Sequence, residues 1–126
     1  MPRSKITFDT VREIGVSLPG VQASTAYGAM ALKVSGKLMA CQAINKSAEP
    51  GSLMVRIDPD QREALLAEAP DTYYLTDHYR VYPSVLVRLS RIGKAELVDL
   101  LHASLRFLAS EIKKEPAPKT RNPKRA

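Results

Sequence analysis

The segment Ala29-Met30-Ala31-Leu32-Lys33-Val34-Ser35-Gly36-Lys37-Leu38-Met39-Ala40-Cys41 reads as two strands around a two-residue turn. Met30, Leu32 and Val34 alternate with Ala31, Lys33 and Ser35, the period of a half-buried strand. Ser-Gly is a favourable hairpin dipeptide because its glycine accepts a left-handed backbone. The turn pairs Val34 with Lys37, Leu32 with Met39 and Met30 with Cys41. Those side chains share the inferred core face, while Lys33, Leu38, Ala40 and Gln42 share the other. A one-residue slip would reverse every assignment.

The same patterning extends in both directions. Upstream, Phe8, Val11, Ile14 and Leu18 have helical spacing over residues 8–18, with Thr7 as N-cap and Pro19-Gly20 as the stop. Downstream, residues 45–51 form a polar loop before a third strand at Leu53–Ile57. Leu53, Val55 and Ile57 face inward there, and Met54 and Arg56 face outward. Asp58-Pro59-Asp60-Gln61 then opens a helix over residues 59–69, with Asp58 capping and Pro59 at the first helical position. Strands are predicted at residues 72–79 and 84–91, joined by Arg80-Val81-Tyr82-Pro83. A last helix runs from Gly93 to Ile112, burying Leu97, Leu101, Leu105 and Leu108.

The predicted order is α-β3-α-β2-α, in an α+β, two-layer fold. Its mostly antiparallel sheet carries helices packed on one face. At 126 residues, with 44% hydrophobic and 25% charged side chains, the chain is expected to form one domain with its own core over residues 1–112. After Ile112 the composition changes. Residues 113–126 hold three prolines, six cations (Lys113, Lys114, Lys119, Arg121, Lys124 and Arg125) and one anion, Glu115. This tail carries +5 of the net charge of +6 and is expected to be disordered, since it has too little apolar surface to offset its ordering entropy. The body is nearly neutral.

The inventory for chemistry is short. One cysteine excludes an intrachain disulfide and a multi-cysteine zinc site. The six glycines are scattered and mark turns, not a phosphate-binding loop, so neither a metal nor a nucleotide cofactor is expected. No apolar run reaches membrane-spanning length, and the amino terminus lacks the apolar stretch of a signal peptide; no membrane partner and a cytoplasmic location are expected. Cys41 and His78 are the sole candidates for a nucleophile and base. Cys41 falls mid-strand on the inferred core face, where a thiol serves as a small hydrophobe, so no catalytic residue is assigned.

The most distinctive stretch is Tyr73-Tyr74-Leu75-Thr76-Asp77-His78-Tyr79-Arg80-Val81-Tyr82, with four of the five tyrosines. Two readings stay open. Tyr73, Tyr74, His78, Tyr79 and Tyr82 form a recognition edge with Arg80 meeting an anion, or the segment is a tyrosine-rich strand pair in which Asp77 pairs with Arg80. Likewise Lys33, Arg56 and Arg88 lie on the outward strand face together with Leu38, Met54 and Leu86. That mixture suits a solvated sheet, a protein partner or a second copy of the chain.

Leu18-Pro19-Gly20-Val21, Tyr27-Gly28 and Leu32-Lys33-Val34-Ser35-Gly36-Lys37-Leu38-Met39-Ala40 resemble the MmcQ/YjbR family. So do Val55-Arg56-Ile57-Asp58, Tyr73 to Tyr79, and Val85-Leu86-Val87-Arg88-Leu89, over a span from Phe8 to Ala109. Where many relatives carry a lysine and a tryptophan, this chain has Asp77 and Tyr79; the aromatic character and His78 are kept. The resemblance implies a two-layer fold similar to secretion chaperones and a DNA-binding role through strand elements. On that basis Lys33, Lys37, Arg56, Arg80, Arg88 and Arg91 are the expected structured contacts, with the tail cations as a tether. Binding through them would be weak and sequence-indifferent, because no base-reading helix is evident. The alternative is a protein- or peptide-interaction module, chaperone-like or homodimeric.

Overall fold

The computed structural model describes residues 6–26 and 28–114, with side chains described as far as Ile112. Its elements are α1 (Phe8–Val16), β1 (Val21–Ala26), β2 (Ala29–Val34), β3 (Lys37–Gln42) and β4 (Ser52–Arg56). They continue with α2 (Pro59–Glu68), β5 (Tyr73–Tyr74), α3 (Asp77–Arg80), β6 (Ser84–Arg88) and α4 (Lys94–Lys114). All strand pairs are antiparallel, in the order β1-β2-β3-β4-β6-β5. The α+β, two-layer architecture is the one the sequence predicts; the element count is not. Among the described residues, six strands and four helices replace the five strands and three helices expected. Among the described residues no helix is long and apolar enough to cross a membrane.

Two elements account for the difference. β1 pairs with β2 from Val21↔Val34 to Ala26↔Ala29. Its sequence, Val-Gln-Ala-Ser-Thr-Ala, has no apolar alternation, and only Val21 is buried. This edge strand owes its form to the neighbour it pairs with rather than to propensity. The second difference lies within 72–79, predicted as one strand. Only Tyr73 and Tyr74 are extended; the chain then turns at Thr76, whose carbonyl accepts from Tyr79 N and Arg80 N at 3.0 and 2.9 Å, closing a single helical turn. Strand alternation would put Tyr73 and Tyr79 on one face. Instead they lie on opposite faces of the sheet.

The larger core packs α1, α2 and α4 against one sheet face. Val11, Leu97, Leu100, Leu101 and Leu108 meet Leu32, Met39, Leu53, Val55, Val85 and Val87, while Leu65 and Leu66 pack at its edge. Each such fully buried side chain contributes about 1.5–3 kcal/mol of transfer free energy. Both predicted caps form: Thr7 Oγ1 accepts from Thr10 N, and Asp58 Oδ1 accepts from Asp60 N at 2.8 Å. α4 buries Leu97, Leu101 and Leu108 of the predicted stripe, leaves Leu105 partly buried, and extends two residues past Ile112. Of the tail expected to be disordered over residues 113–126, Lys113 and Lys114 instead end α4, and residues 115–126 lie outside the described residues.

The reverse face is not bare. Ala31, Cys41, Met54, Tyr79 and Leu86 form a second, smaller core under α3, so one helical turn sits opposite the other three helices. The hairpin explains how Cys41 arrives there. Ser35 and Gly36 both have positive φ, 51° and 79°, as a type I′ turn requires. Val34↔Lys37 and Lys33↔Leu38 pair as the turn dictates, but the register shifts next to Leu32, which then faces Ala40, and Ala31 faces Cys41. A bulge in β3 absorbs one residue, so Met39 and Ala40 both enter the larger core. Cys41 is therefore opposite Ala31 on the reverse face. The expected Met30–Cys41 and Leu32–Met39 pairs do not form, and Ala40, expected on the outward face, is in the larger core.

Candidate functional site

The reverse face holds a cleft of about 670 Å³, within the range of ligand sites. Its floor comes from Leu38, Cys41 and Met54. Gln42, Ile44, Asn45 and Lys46 rise on one side, His78, Tyr79 and Tyr82 on the other, and Arg56 enters at the end of β4. The bulge builds this floor, because it returns Leu38 and Cys41 to the same side of β3 despite their odd spacing.

The walls are braced by hydrogen bonds. Tyr79 Oη accepts from Asn45 N at 3.3 Å, Ser84 Oγ donates to the Tyr79 carbonyl at 3.2 Å, and Ser47 and Thr76 hydroxyls bond at 2.9 Å. Arg62, on α2, donates Nη1 to the carbonyls of Tyr82 at 3.1 Å and Ser84 at 3.4 Å, holding the lip from behind. The Tyr79 and His78 rings meet edge to face, with centroids 4.9 Å apart. Burial raises the Cys41 thiol above its ordinary value of 9.0, which keeps it neutral and a poor nucleophile.

The predicted basic residues separate into different roles. Arg88 is consumed within the fold: Nε and Nη2 donate to the Glu49 carboxylate at 2.9 and 2.8 Å, and Nη1 donates to the carbonyls of Pro70 and Asp71. Its guanidinium also lies 4.3 Å from the Tyr74 ring centroid. Tyr74 Oη accepts from Glu49 N at 2.7 Å and bonds the Ser52 hydroxyl, completing a knot at the far end of the loop 45–51. Arg80 bridges Asp77 at 3.6 Å on an exposed surface. Arg91 is exposed in the turn after β6, and Lys37 sits at the hairpin tip. Lys33 and Arg56 share the reverse face.

Arg56 and Arg88 do not converge. Arg56 pairs with Ser84 and Ser52 pairs with Arg88, so the two arginines stand four positions apart along adjacent strands, about 13 Å. Of the tyrosines, Tyr79 and Tyr82 line the cleft and Tyr74 belongs to the Arg88 knot. Tyr73 faces the larger core, where its hydroxyl donates to Glu96 Oε2 at 2.8 Å and burial strongly raises its pKa. The backbones of Lys113 and Lys114 close α4; Lys119, Arg121, Lys124 and Arg125 lie outside the described residues. Sequence reading missed Gln42, Ile44, Asn45 and Lys46 as site residues. The signal was a polar loop carrying one exposed isoleucine.

A second depression of about 530 Å³ lies beside the knot, lined by Ile6, Phe8 and Leu89 among others. The charges it presents, Glu49 and Arg88, are bonded to each other. The hydrogen bond from Arg88 holds the Glu49 carboxyl below its usual 4.5. A depressed carboxyl stabilises the fold above its unfolded pKa and loses that contribution as pH falls through the folded value. Glu49→Gln is therefore expected to flatten the stability profile below pH 4.5 while leaving its shape at neutral pH unchanged, as urea titrations across that range would show.

The family model YjbR matches residues 16–107. The chain belongs to the YjbR family. Uncharacterized proteins of Mycobacterium tuberculosis, Rv2570, and Mycobacterium bovis, Mb2600, are each 41% identical to it over 44 residues. Those matches span 35% of this YjbR chain and 34% of each relative, about a third of the relatives' length. DR2400 of Deinococcus radiodurans, whose crystal structure carries the domain DUF419, superposes with a TM-score of 0.68 at 19% identity. The superposition covers 94% of this chain and 90% of DR2400, so the two share the fold.

Proposed function

We propose that this YjbR protein is a non-catalytic binding module that seats a segment of a partner protein in the cleft under α3. One observation carries the proposal. Of the large apolar side chains left exposed among the described residues, Ile44 and Tyr82 line the cleft and Val81 adjoins it in sequence. Val81 is 76% exposed and Tyr82 53%. Apolar rims of this kind are covered by partners of macromolecular size, because a small ligand within the cleft leaves the rim wet. The neutral, buried Cys41 supports a binding role over a nucleophilic one.

A peptide-display selection against the full chain, with Tyr82→Asp as the counter-selected form, tests the proposal. Enriched peptides should perturb the backbone amides of Gln42, Ile44 and Tyr79. Enrichment confined to other surfaces, or none, would refute it.

A second reading is DNA binding, favoured by the six cations of residues 113–126. On the body, Arg80 and Arg88 already meet Asp77 and Glu49, so the tail would supply most of the affinity. If all six cations contact phosphates, log K against log salt has a slope of about −5 from the tail alone. Duplex titrations with and without residues 113–126 measure it directly; no binding by either form at low salt rules this reading out.

A further inference from the structure

Arg56 is the charged group in the cleft with an unmet requirement. It ends β4, two residues after Met54, which places both side chains on the reverse face. Its Nε–H is buried without a hydrogen-bond partner among the described residues. A buried donor left unmatched is costly, and a guanidinium donor more so than a neutral one. Asp58, the acid nearest in sequence, caps α2 by accepting from Asp60 N, and Asp77 and Glu49 pair with Arg80 and Arg88.

Among the described residues the lining contains no aspartate or glutamate, while Lys46 adds a second cation and Gln42 and Asn45 add amide groups. The neutral Cys41 thiol does not repel an anion. An arginine offers a carboxylate two parallel donors, the pairing best matched to its planar fork.

Resting on the binding-module reading, we infer that the cleft takes the free C-terminus of a partner chain that ends in an apolar residue, with its α-carboxylate on Arg56. The chemistry favours a terminus over an acidic side chain. In a terminal residue the carboxylate and the apolar side chain leave the same Cα, so both fit one compact site. An internal aspartate or glutamate must borrow its apolar group from a neighbour, which an extended backbone points the other way. Here Arg56 takes the anion, and Leu38, Met54 and Ile44 take the side chain.

Two probes that differ in one group test this: acetyl-Gly-Ser-Ala-Phe with a free carboxylate, and the same peptide amidated, each titrated into the full chain. The acid is expected to bind about tenfold tighter and to shift the Arg56 Nε–H resonance. In Arg56→Gln the two affinities should become equal. Equal affinity in the wild type overturns the carboxylate inference and leaves the binding-module reading standing. A preference for the acid that survives Arg56→Gln overturns the role of Arg56. Neither peptide shifting any cleft resonance removes both. Should Arg56→Gln fail to fold, the wild-type acid–amide contrast and the Nε–H resonance still decide the matter.

Discussion

Replacing Tyr79 with alanine is expected to lower the unfolding free energy by about 3–5 kcal/mol, the range for removing a buried aromatic ring. Tyr79 is 8% exposed and centres the smaller core with Ala31, Cys41, Met54 and Leu86. Without the ring, α3 has little else to bury, and its attachment to β6 rests on the Ser84 hydroxyl bond. Tyr79→Phe separates packing from hydrogen bonding. It removes only the phenol that accepts from Asn45 N, at a cost of about 1 kcal/mol. Urea midpoints at constant m-value would distinguish the two. A cost below 1 kcal/mol for the alanine variant would mean that the reverse face is not a core.

Gly15→Ala is expected to destabilise by about 2 kcal/mol, against the usual gain for such a change within a helix. Helix α1 approaches β2 so closely that a Cβ on Gly15 would lie 2.4 Å from Leu32 Cδ1 and 2.8 Å from Cδ2. Leu32 is fully buried among its own neighbours and has no free space to move into. The collision predicts a signature beyond the single variant. Leu32→Ala alone should leave a cavity, yet in the Gly15→Ala background part of that space is filled, so the double variant should be more stable than the sum of the two losses. Additive losses would place α1 farther from the sheet than it stands here.

The legible parts of the fold were those where a local rule acted without competition. Strand β4 alternates cleanly, Asp58-Pro59 announces α2, and the α4 leucines repeat at helical spacing; each forms as predicted. β1 was invisible because small polar residues on an edge carry no burial pattern. The segment after Tyr74 misled because tyrosines favour sheets, and nothing local discloses that Thr76 starts a helical turn. The bulge was hidden for a different reason. Either pairing of Met39 and Ala40 satisfies alternation, and only packing against the helices selects the one that sends Cys41 to the other side. The cleft inherits all of these, being assembled from the bulge, the misread turn and a loop. Arg56, Leu38, Met54 and the aromatic wall of His78, Tyr79 and Tyr82 were legible; the 44–46 loop and the place of Cys41 were not.

The terminal strand β1 has one further consequence. Val21–Ala26 contains no charged side chain and no proline, the features that commonly guard an open sheet margin. Among the described residues no strand pairs with its outer side. The chain's net charge of +6 supplies a repulsion that opposes edge-to-edge pairing of concentrated molecules. Raising the salt to 1 M shortens the screening length to about 3 Å and weakens that repulsion, so light scattering is expected to show more self-association at high salt than at low.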